Sequence, residues 1–281
     1  MPNHHNQKPR FTGAVLWRAV NAYRAYIYTC DPARFETPGT TILPHERLKG
    51  TNMLYHVLLG EHTMLRPDPQ LIPRIENLVA GAGANRALTV EDLAAHLGPD
   101  RVTVEGRYST HYMDPVDFRP ATAPAGFVFR HLPQDAYDTL PTLYEACSEE
   151  DLDEAEILLD EPDPVIYCGY EATADDANAT DGPIVAYASH RYWGVGERDQ
   201  DLDARDDPTG LLADIGVLVH PDYRHRGLGK AGVSQLTQWC IEHDVIPMYR
   251  VDQVHFRSRR IPEALGFTRA FEMIVVKVGQ P

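Results

Sequence analysis

The chain has 281 residues, enough for one large domain or two of moderate size, and we expect two. Its 43% hydrophobic and 24% charged residues are ordinary globular usage, which excludes a largely disordered chain. The 26 Lys and Arg against 41 Asp and Glu give a formal net charge of -15, so we expect no nucleic acid partner, because phosphate backbones repel an acidic surface.

Neither a membrane span nor an export signal is predicted. No stretch reaches the roughly 18 consecutive apolar residues that a span needs, and residues 1–10 are polar. We therefore expect a soluble, cytoplasmic protein with a flexible N-terminus at residues 1–10. The cysteines are widely spaced rather than arranged as C-x-x-C, which is typical of buried reduced thiols. They are Cys30, Cys147, Cys168 and Cys240.

Residues 11–119 are predicted to form an N-terminal α/β domain. A helix ends at Asp31-Pro32, and its buried face is predicted to carry Leu16, Val20, Tyr23 and Ile27. After a linker-like stretch with Pro38 and Pro44, we predict a hairpin (53–59 and 62–66), helices at 71–79 and 90–97, and a strand at 102–112. Thr89, three residues before Asp92, is the predicted N-cap of the second helix. No catalytic motif is visible here. These residues complete a substrate pocket, mediate a homodimer, or are a relic of a duplicated fold.

A proline- and alanine-rich stretch, residues 115–125, is the predicted domain boundary. From 125 to 281, strands alternate with helices. Strands are predicted at 126–132, 165–171, 184–190, 211–219, 246–251 and 271–278. Helices are predicted at 134–147, 151–159, 228–243 and 257–265. No period of 20 to 50 residues repeats, which excludes a solenoid.

The most informative segment is an apolar strand ending at Val219, a polar turn, and a helix that opens on Gly227 and Gly229. Glycines there let backbone amides approach an anion, and the unpaired amides and partial positive charge of a helix start hold phosphate. Cationic donors at the same turn are Arg224, Arg226 and Lys230. The pattern predicts a pyrophosphate site that is neither a P-loop nor a Rossmann fingerprint, because neither spacing occurs.

Arg224-x-x-Gly227-x-Gly229 matches the signature R/Q-x-x-G-x-G/A, and the segment resembles the GNAT superfamily of acyl-CoA-dependent N-acetyltransferases. The V-x-V strand and the lead-in Pro221-Asp222-Tyr223-Arg224 are similar too, as are Ser258-Arg259-Arg260-Ile261 and Leu265-Gly266-Phe267. The resemblance covers residues 126–281. It implies an α/β fold of the mixed α+β kind, with a central mixed sheet flanked by helices, preceded here by the smaller N-terminal α/β domain.

The resemblance implies acetyl-CoA as co-substrate, no metal, and direct attack of an amine on the thioester in a ternary complex. Backbone groups of Val217 and Val219 would hold the pantetheine, and the following turn would hold the pyrophosphate. The residues that it implies for CoA binding are Val217, Leu218, Val219, Arg224, His225, Arg226, Gly227, Leu228, Gly229, Lys230, Ala231 and Ser258.

For the base, the resemblance points to Asp214, because the family often places a carboxylate on this strand. An Asp in an apolar strand is costly unless it is paired or functional. Asp214 is thus predicted to accept the amine proton, directly or through water, unless it merely faces solvent at the start of its strand. Glu171 and His190 are secondary candidates.

Two family residues are replaced in this sequence. His255 stands where the family often has Asn, and Pro262 stands where it has the tyrosine that protonates the departing thiolate. Proline has no proton to donate. Tyr249 and His255 are the predicted catalytic substitutes, with Tyr223 as a further choice, or the thiolate leaves without a protein acid, as the acidity of thiols allows.

The sequence therefore predicts an N-acetyltransferase for a primary amine, either a small cationic amine or a peptide or protein amine. The acidic run 149–163 lies where the family frames its acceptor, which favours a cationic amine, unless the run is only a solvated helix face. The replacement at Pro262 leaves open a non-catalytic acyl-CoA-binding sensor. A donor with a longer acyl chain is also left open.

Overall fold

The computed structural model describes residues 9–83, 85–158, 163–172, 182–192, 211–254 and 258–279. The strands among them are β1 (Gly39–Ile42), β2 (Met53–Leu59), β3 (His62–Pro67), β4 (Val102–Tyr112), β5 (Phe127–His131), β6 (Val165–Glu171), β7 (Ile184–Tyr192), β8 (Leu212–Val219), β9 (Ile246–Asp252) and β10 (Thr268–Val278). The α-helices are α1 (Gly13–Tyr28), α2 (Ile72–Ala82), α3 (Val90–Leu97), α4 (Pro141–Glu145), α5 (Glu149–Glu154), α6 (Leu228–Glu242) and α7 (Arg260–Leu265).

All ten strands belong to one mixed sheet, in the order β1-β3-β2-β10-β4-β9-β8-β7-β6-β5. The pairs β1–β3 and β8–β9 are parallel, and the other pairs are antiparallel. Helices cover both faces of this sheet. The predicted α/β class with a central mixed sheet flanked by helices is confirmed.

The N-terminal elements follow the predicted pattern with one exception. The predicted face of α1 is buried, and α1 ends at Thr29 in the left-handed conformation, shortly before the expected Asp31-Pro32 stop. The hairpin β2–β3 is confirmed, as is the helix start at Thr89, whose side chain forms a capping box with Asp92. The predicted linker was wrong at Gly39–Ile42, which forms β1 by pairing in parallel with β3.

The first two helices after the boundary are shorter than predicted. Residues 134–147 divide into a 3₁₀ turn, Gln134–Thr139, and α4, which begins at Pro141. A proline inside the predicted helix lacks the amide hydrogen and disfavours helical geometry before it, so the helix restarts there. Helix α5 ends at Glu154, and Glu156 already has a positive φ of 54°. A non-glycine residue in that region ends an α-helix.

The sheet runs through both predicted domains. Strand β10, from the end of the chain, lies between β2 and β4, and β4 in turn lies between β10 and β9. Ile274, for example, is paired with His56 on one side and Arg107 on the other. The division into 11–119 and 125–281 as separate folding units stays a prediction, and in the structure the N-terminal part completes the same sheet.

The helices divide the two faces of the sheet between them. Helix α6 packs its apolar side, including Val233 and Leu236, on β7 and β8. Helices α4 and α5 cover the opposite face near Leu218. None of the described helices is long and apolar enough to cross a membrane. This arrangement leaves the carboxyl ends of β8 and β9 between α6 on one face and α5 on the other.

Candidate functional site

Strands β8 and β9 separate part-way along their length. Strand β8 pairs with β7 over nearly its whole length, from Ala213 to Val219. It pairs with β9 only from Leu212 to Asp214, while β9 continues to Asp252 beside β4. Within the described residues, the β9 side of β8 beyond Asp214 has no strand partner, so backbone donors and acceptors there are open to a ligand. We call this space the β8–β9 cleft.

The turn after β8 presents the start of α6 to the same cleft. Gly227 is the N-cap, with φ 86° in the left-handed region, and in the described chain no side chain caps this helix end. The first intrahelical bond runs from the Ala231 amide to the Gly227 carbonyl, 3.1 Å away. The amides of Leu228, Gly229 and Lys230 therefore have no helix partner, which creates a site for an anion.

The cations of the turn point in different directions. Arg226 is exposed, donates to the Asp222 carbonyl at 3.1 Å and lies over the Tyr223 ring at 4.9 Å. Arg224 turns inward, donating to the Val219 carbonyl at 3.1 Å and pairing with Asp151 at 2.8 Å. Arg224 thus ties α5 to the end of β8. Its role as a donor to phosphate stays a prediction, and in the structure its guanidinium is engaged by Asp151.

The other predicted CoA-site residues differ in what they can offer. The side chains of Leu218, Leu228 and Ala231 are buried in the core, so only their backbone can contact a ligand. His225 and Lys230 are exposed at the turn. A Cβ on Gly229 would lie 3.6 Å from each of three side chains that line the cleft, namely Val217, Val219 and Ile261. The missing side chain at Gly229 therefore leaves room beside the open backbone of β8.

Asp214, the predicted base, is not isolated. Its Oδ2 accepts a hydrogen bond of 2.6 Å from Nε of Arg250 on β9. The same guanidinium donates from NH2 to both carboxylate oxygens of Glu156, each at 2.6 Å. Only 9% of the Asp214 side chain is exposed, against 53% of the Glu156 side chain. The three residues form an ion triad at the point where β8 and β9 separate.

A second ion pair stands beside this triad. Asp163 accepts from Nε and NH2 of Arg191 at 3.1 and 3.0 Å. It also accepts from the hydroxyls of Ser189 and Tyr187. Arg191 is directly opposite Asp214 in the β7–β8 register, so both side chains lie on the same face. Four acceptor contacts explain how Asp163 is buried as a carboxylate, since a buried charge needs paired donors.

Strand β4 brings the N-terminal part of the chain to this face. Thr110 lies opposite Arg250 and Tyr108 opposite Asp252. Burial, together with the nearby Asp252 charge, raises the pKa of Tyr108. The side chain of Tyr108 therefore borders the polar face of β9.

Tyr249, a predicted catalytic residue, points to the other face. It is buried beside Phe267, with ring centroids 6.2 Å apart. Burial raises the pKa of Tyr249, although a hydrogen bond with Ser258 acts against it. The hydroxyl therefore keeps its proton at neutral pH, and it lies between β9 and the start of α7. Pro262 lies in the first turn of α7, and His255 lies outside the described residues.

His190, a secondary candidate for the base, is fully buried on β7. Its ring packs against Trp239 and Tyr192, at centroid distances of 5.2 and 5.0 Å. Within the described part of the chain, neither ring nitrogen has a hydrogen-bond partner. Burial lowers the pKa of His190 to about 4, although Asp163 acts to raise it. His190 is therefore a neutral core residue at physiological pH.

We expect His190→Phe to reduce the loss of stability at acid pH. The unfolded state takes up the histidine proton below about pH 6.5, but the folded state does so only near pH 4. Wild-type protein therefore loses stability as pH falls from 6.5 to 4, by about 2 kcal/mol for this group between pH 7 and pH 5. Urea unfolding at both pH values measures the difference. His131→Phe, at an exposed position of β5, should keep the wild-type slope. An unchanged slope in His190→Phe would contradict the assignment.

The sequence reasoning missed Arg250 and Glu156. A signal for Arg250 was present, because it is a charged residue inside the apolar strand Ile246–Asp252, the same argument that singled out Asp214. Two opposite charges in adjacent apolar strands favour a pair. Glu156 carried no such signal, since it follows an acidic helix. In the described ranges, no group of three or more His, Cys, Asp or Glu is arranged to hold a metal ion.

Part of the chain matches a known protein family. Residues 130–267 match the model of the acetyltransferase (GNAT) family. No curated protein matches the chain.

Similar solved structures include a GCN5-related N-acetyltransferase from Kribbella flavida, with 17% identity over 67% of this chain and 64% of that one and a TM-score of 0.42. A GNAT-family acetyltransferase from Colwellia psychrerythraea has 14% identity over 78% and 76%, with a TM-score of 0.44. An aminoglycoside N-acetyltransferase in complex with CoA has 16% identity over 51% and 92%, with a TM-score of 0.32. Likenesses this distant carry no information on the substrate.

Proposed function

We propose that this protein, whose residues 130–267 belong to the GNAT family of acetyltransferases, transfers an acetyl group from acetyl-CoA to a primary amine. The observation that carries the proposal is the β8–β9 cleft, which combines an open strand edge with an uncapped helix start. An extended amide-containing chain and a pyrophosphate are the chemical groups that such a surface suits.

The residues present fit acetyl-CoA as the donor substrate. Backbone groups of Val217 and Val219 face the pantetheine amides, and the free amides at the start of α6 receive the pyrophosphate. Arg226, His225 and Lys230 are exposed beside that helix start and add donors. Arg224 contributes indirectly, by holding the turn through Asp151 and the Val219 carbonyl.

Catalysis in this proposal uses the two faces of the cleft differently. Carboxylates around Arg250, among them the predicted base Asp214, stand on one face. The Tyr249 hydroxyl stands on the other and supplies a proton for the departing thiolate. The protein itself supplies orientation, a proton acceptor and a proton donor, and acetyl-CoA supplies the activated acyl group.

The acceptor in this proposal is a cationic amine, either small or on a peptide or protein, in the cytoplasm. A net charge of -15 and the acidic helix α5 beside the cleft favour attraction of a cation. Pro262, which donates no proton, supports one alternative, a non-catalytic sensor that binds acyl-CoA.

The test is incubation of the purified protein with acetyl-CoA and a panel of amines, following release of free thiol. The panel holds polyamines, short peptides with a lysine side chain, and peptides with a free N-terminus. We expect thiol release that depends on the amine. Tight acetyl-CoA binding by calorimetry without acylation of any amine would favour the sensor. Propionyl-CoA and longer donors, offered in competition, test the acyl chain length.

A further inference from the structure

The ion triad at the base of the β8–β9 cleft contains two carboxylates of unequal character. Asp214 is almost fully buried and directs Oδ2 at Arg250, while Glu156 is half exposed and meets Arg250 from the solvent side. Both contacts to the guanidinium are short, 2.6 Å. Arg250 therefore joins an inner carboxylate to an outer one.

Among the described residues, an apolar core closes one face of the cleft near this triad, and charged side chains line the other. The opposite face is filled by the core beneath α6 and α7, whose members include Ile215, Val233, Tyr249, Val251, Leu265 and Phe267. Asp214 is paired with Met248, which stands two residues before Arg250 on β9. The side chains of Asp214 and Arg250 therefore lie on the same, polar face of the sheet. An amine that reaches the separation point from this face meets the exposed carboxylate of Glu156 before it meets Asp214.

We propose that Glu156 is the catalytic base of the acetyl transfer, and that Arg250 and Asp214 are positioning residues that hold its carboxylate at the separation point. This inference rests on the proposed function. The bound ammonium gives one proton to Glu156, and the neutral nitrogen attacks the thioester carbon. A C–N bond forms and the C–S bond breaks. The second proton that leaves nitrogen balances the one taken up by sulfur, and the proton on Glu156 passes to solvent.

The backbone around Glu156 is set by its contact with β8. A Cβ on Gly216 would lie 2.4 Å from the carbonyl oxygen of Ala155, so the segment after α5 sits on β8 only because position 216 is glycine. Glu156 itself adopts φ 54°, which is uncommon for a residue with a side chain. Strained backbone of this kind is held where the surroundings over-determine it, as the Gly216 and Arg250 contacts do here.

The surroundings of Glu156 suit a base that must accept a proton near neutral pH. The charged groups that face Glu156 are Arg250 of β9, Asp214 of β8 and Arg191 of β7. Desolvation raises the pKa of Glu156, and the negative charge of Asp214 raises it further. The positive charges of Arg250 and Arg191 act to lower it, but the net direction is upward. A carboxylate with a raised pKa is a better proton acceptor near neutral pH than an unperturbed one.

The experiment compares E156Q, D214N and the wild type with the fastest amine of the panel, over a range of pH. We expect kcat/KM of E156Q to fall about 100- to 1,000-fold at pH 7, with acetyl-CoA affinity unchanged. The deficit should shrink as pH rises towards the pKa of the amine, because solvent then deprotonates it. A merely structural role would not change the shape of the pH profile. E76Q, the same change at an exposed position of α2, is the matched control.

The outcomes separate this inference from the function on which it rests. Wild-type turnover with a normal pH profile in E156Q would overturn the role of Glu156 alone. A profile that loses its acid limb in D214N but not in E156Q would assign the base to Asp214 instead. Wild-type protein that acetylates no amine would overturn the proposed function, and the role of Glu156 with it.

Discussion

Gly227→Glu is expected to weaken acetyl-CoA binding by at least about 100-fold, which corresponds to about 2.8 kcal/mol. Gly227 has φ 86° at the start of α6. A residue with a Cβ is strained there by about 1–2 kcal/mol, and a carboxylate at the uncapped helix start competes with phosphate for the same amides. Isothermal titration with acetyl-CoA measures the affinity directly.

The matched control for this change is Gly50→Glu. Gly50 also has a positive φ, 81°, and nothing lies within 4 Å of a Cβ built on it. It stands in the turn before β2, away from the cleft, so Gly50→Glu should show the backbone strain without a loss of affinity. Circular dichroism of both variants establishes that they are folded. Equal acetyl-CoA affinity in Gly227→Glu and the wild type would contradict the proposal that the start of α6 binds phosphate.

Gly266→Ala is expected to lower the free energy of unfolding by about 3–5 kcal/mol. Gly266 ends α7 with φ 95°, and a Cβ there would lie 2.1 Å from the carbonyl oxygen of Asp117. The strained backbone costs about 1–3 kcal/mol, and forcing apart packed groups costs a similar amount. The neighbouring bond from the Arg119 amide to the Leu265 carbonyl, 2.8 Å, would be disturbed as well. Urea unfolding measures the loss.

Gly126→Ala separates the two causes. Gly126 has φ 84°, and a Cβ there would meet nothing within 4 Å. This variant carries the backbone strain without the clash, so it should lose about 1–2 kcal/mol. Equal losses in Gly126→Ala and Gly266→Ala would mean that the segment around Asp117 moves away at little cost, and would contradict tight packing at Gly266.

Local patterns in the sequence predicted most of the elements. The spacing of Leu16, Val20, Tyr23 and Ile27 identified the buried face of α1, and Thr89 with Asp92 identified the start of α3. These signals depend on residues within one or two turns of each other, so they survive without any knowledge of tertiary contacts. The prediction for 134–147 was wrong because it disregarded Pro141, which was itself a local signal.

Strand partners were outside the reach of such patterns. Nothing in the sequence near Thr268–Val278 indicates that it inserts between β2 and β4, more than 150 residues earlier in the chain. The strand β1 was missed for a similar reason, because its four residues become a strand only through β3. Pairing over such separations depends on how the whole sheet buries its faces.

The sequence by itself determined the glycine turn at the start of α6, which we propose as the phosphate site, since two glycines after an apolar strand already indicate free amides at a helix start. It also carried the family resemblance that the match over residues 130–267 confirmed. Only the tertiary structure decided what the charges near that turn do. It placed Arg224 on Asp151, and it joined Asp214 to Glu156 through Arg250. The strength of an ion pair depends on a distance of a few ångströms between two side chains in the folded protein. Residues far apart in the chain reach that distance only through the tertiary structure, so their spacing in the sequence does not predict the pair.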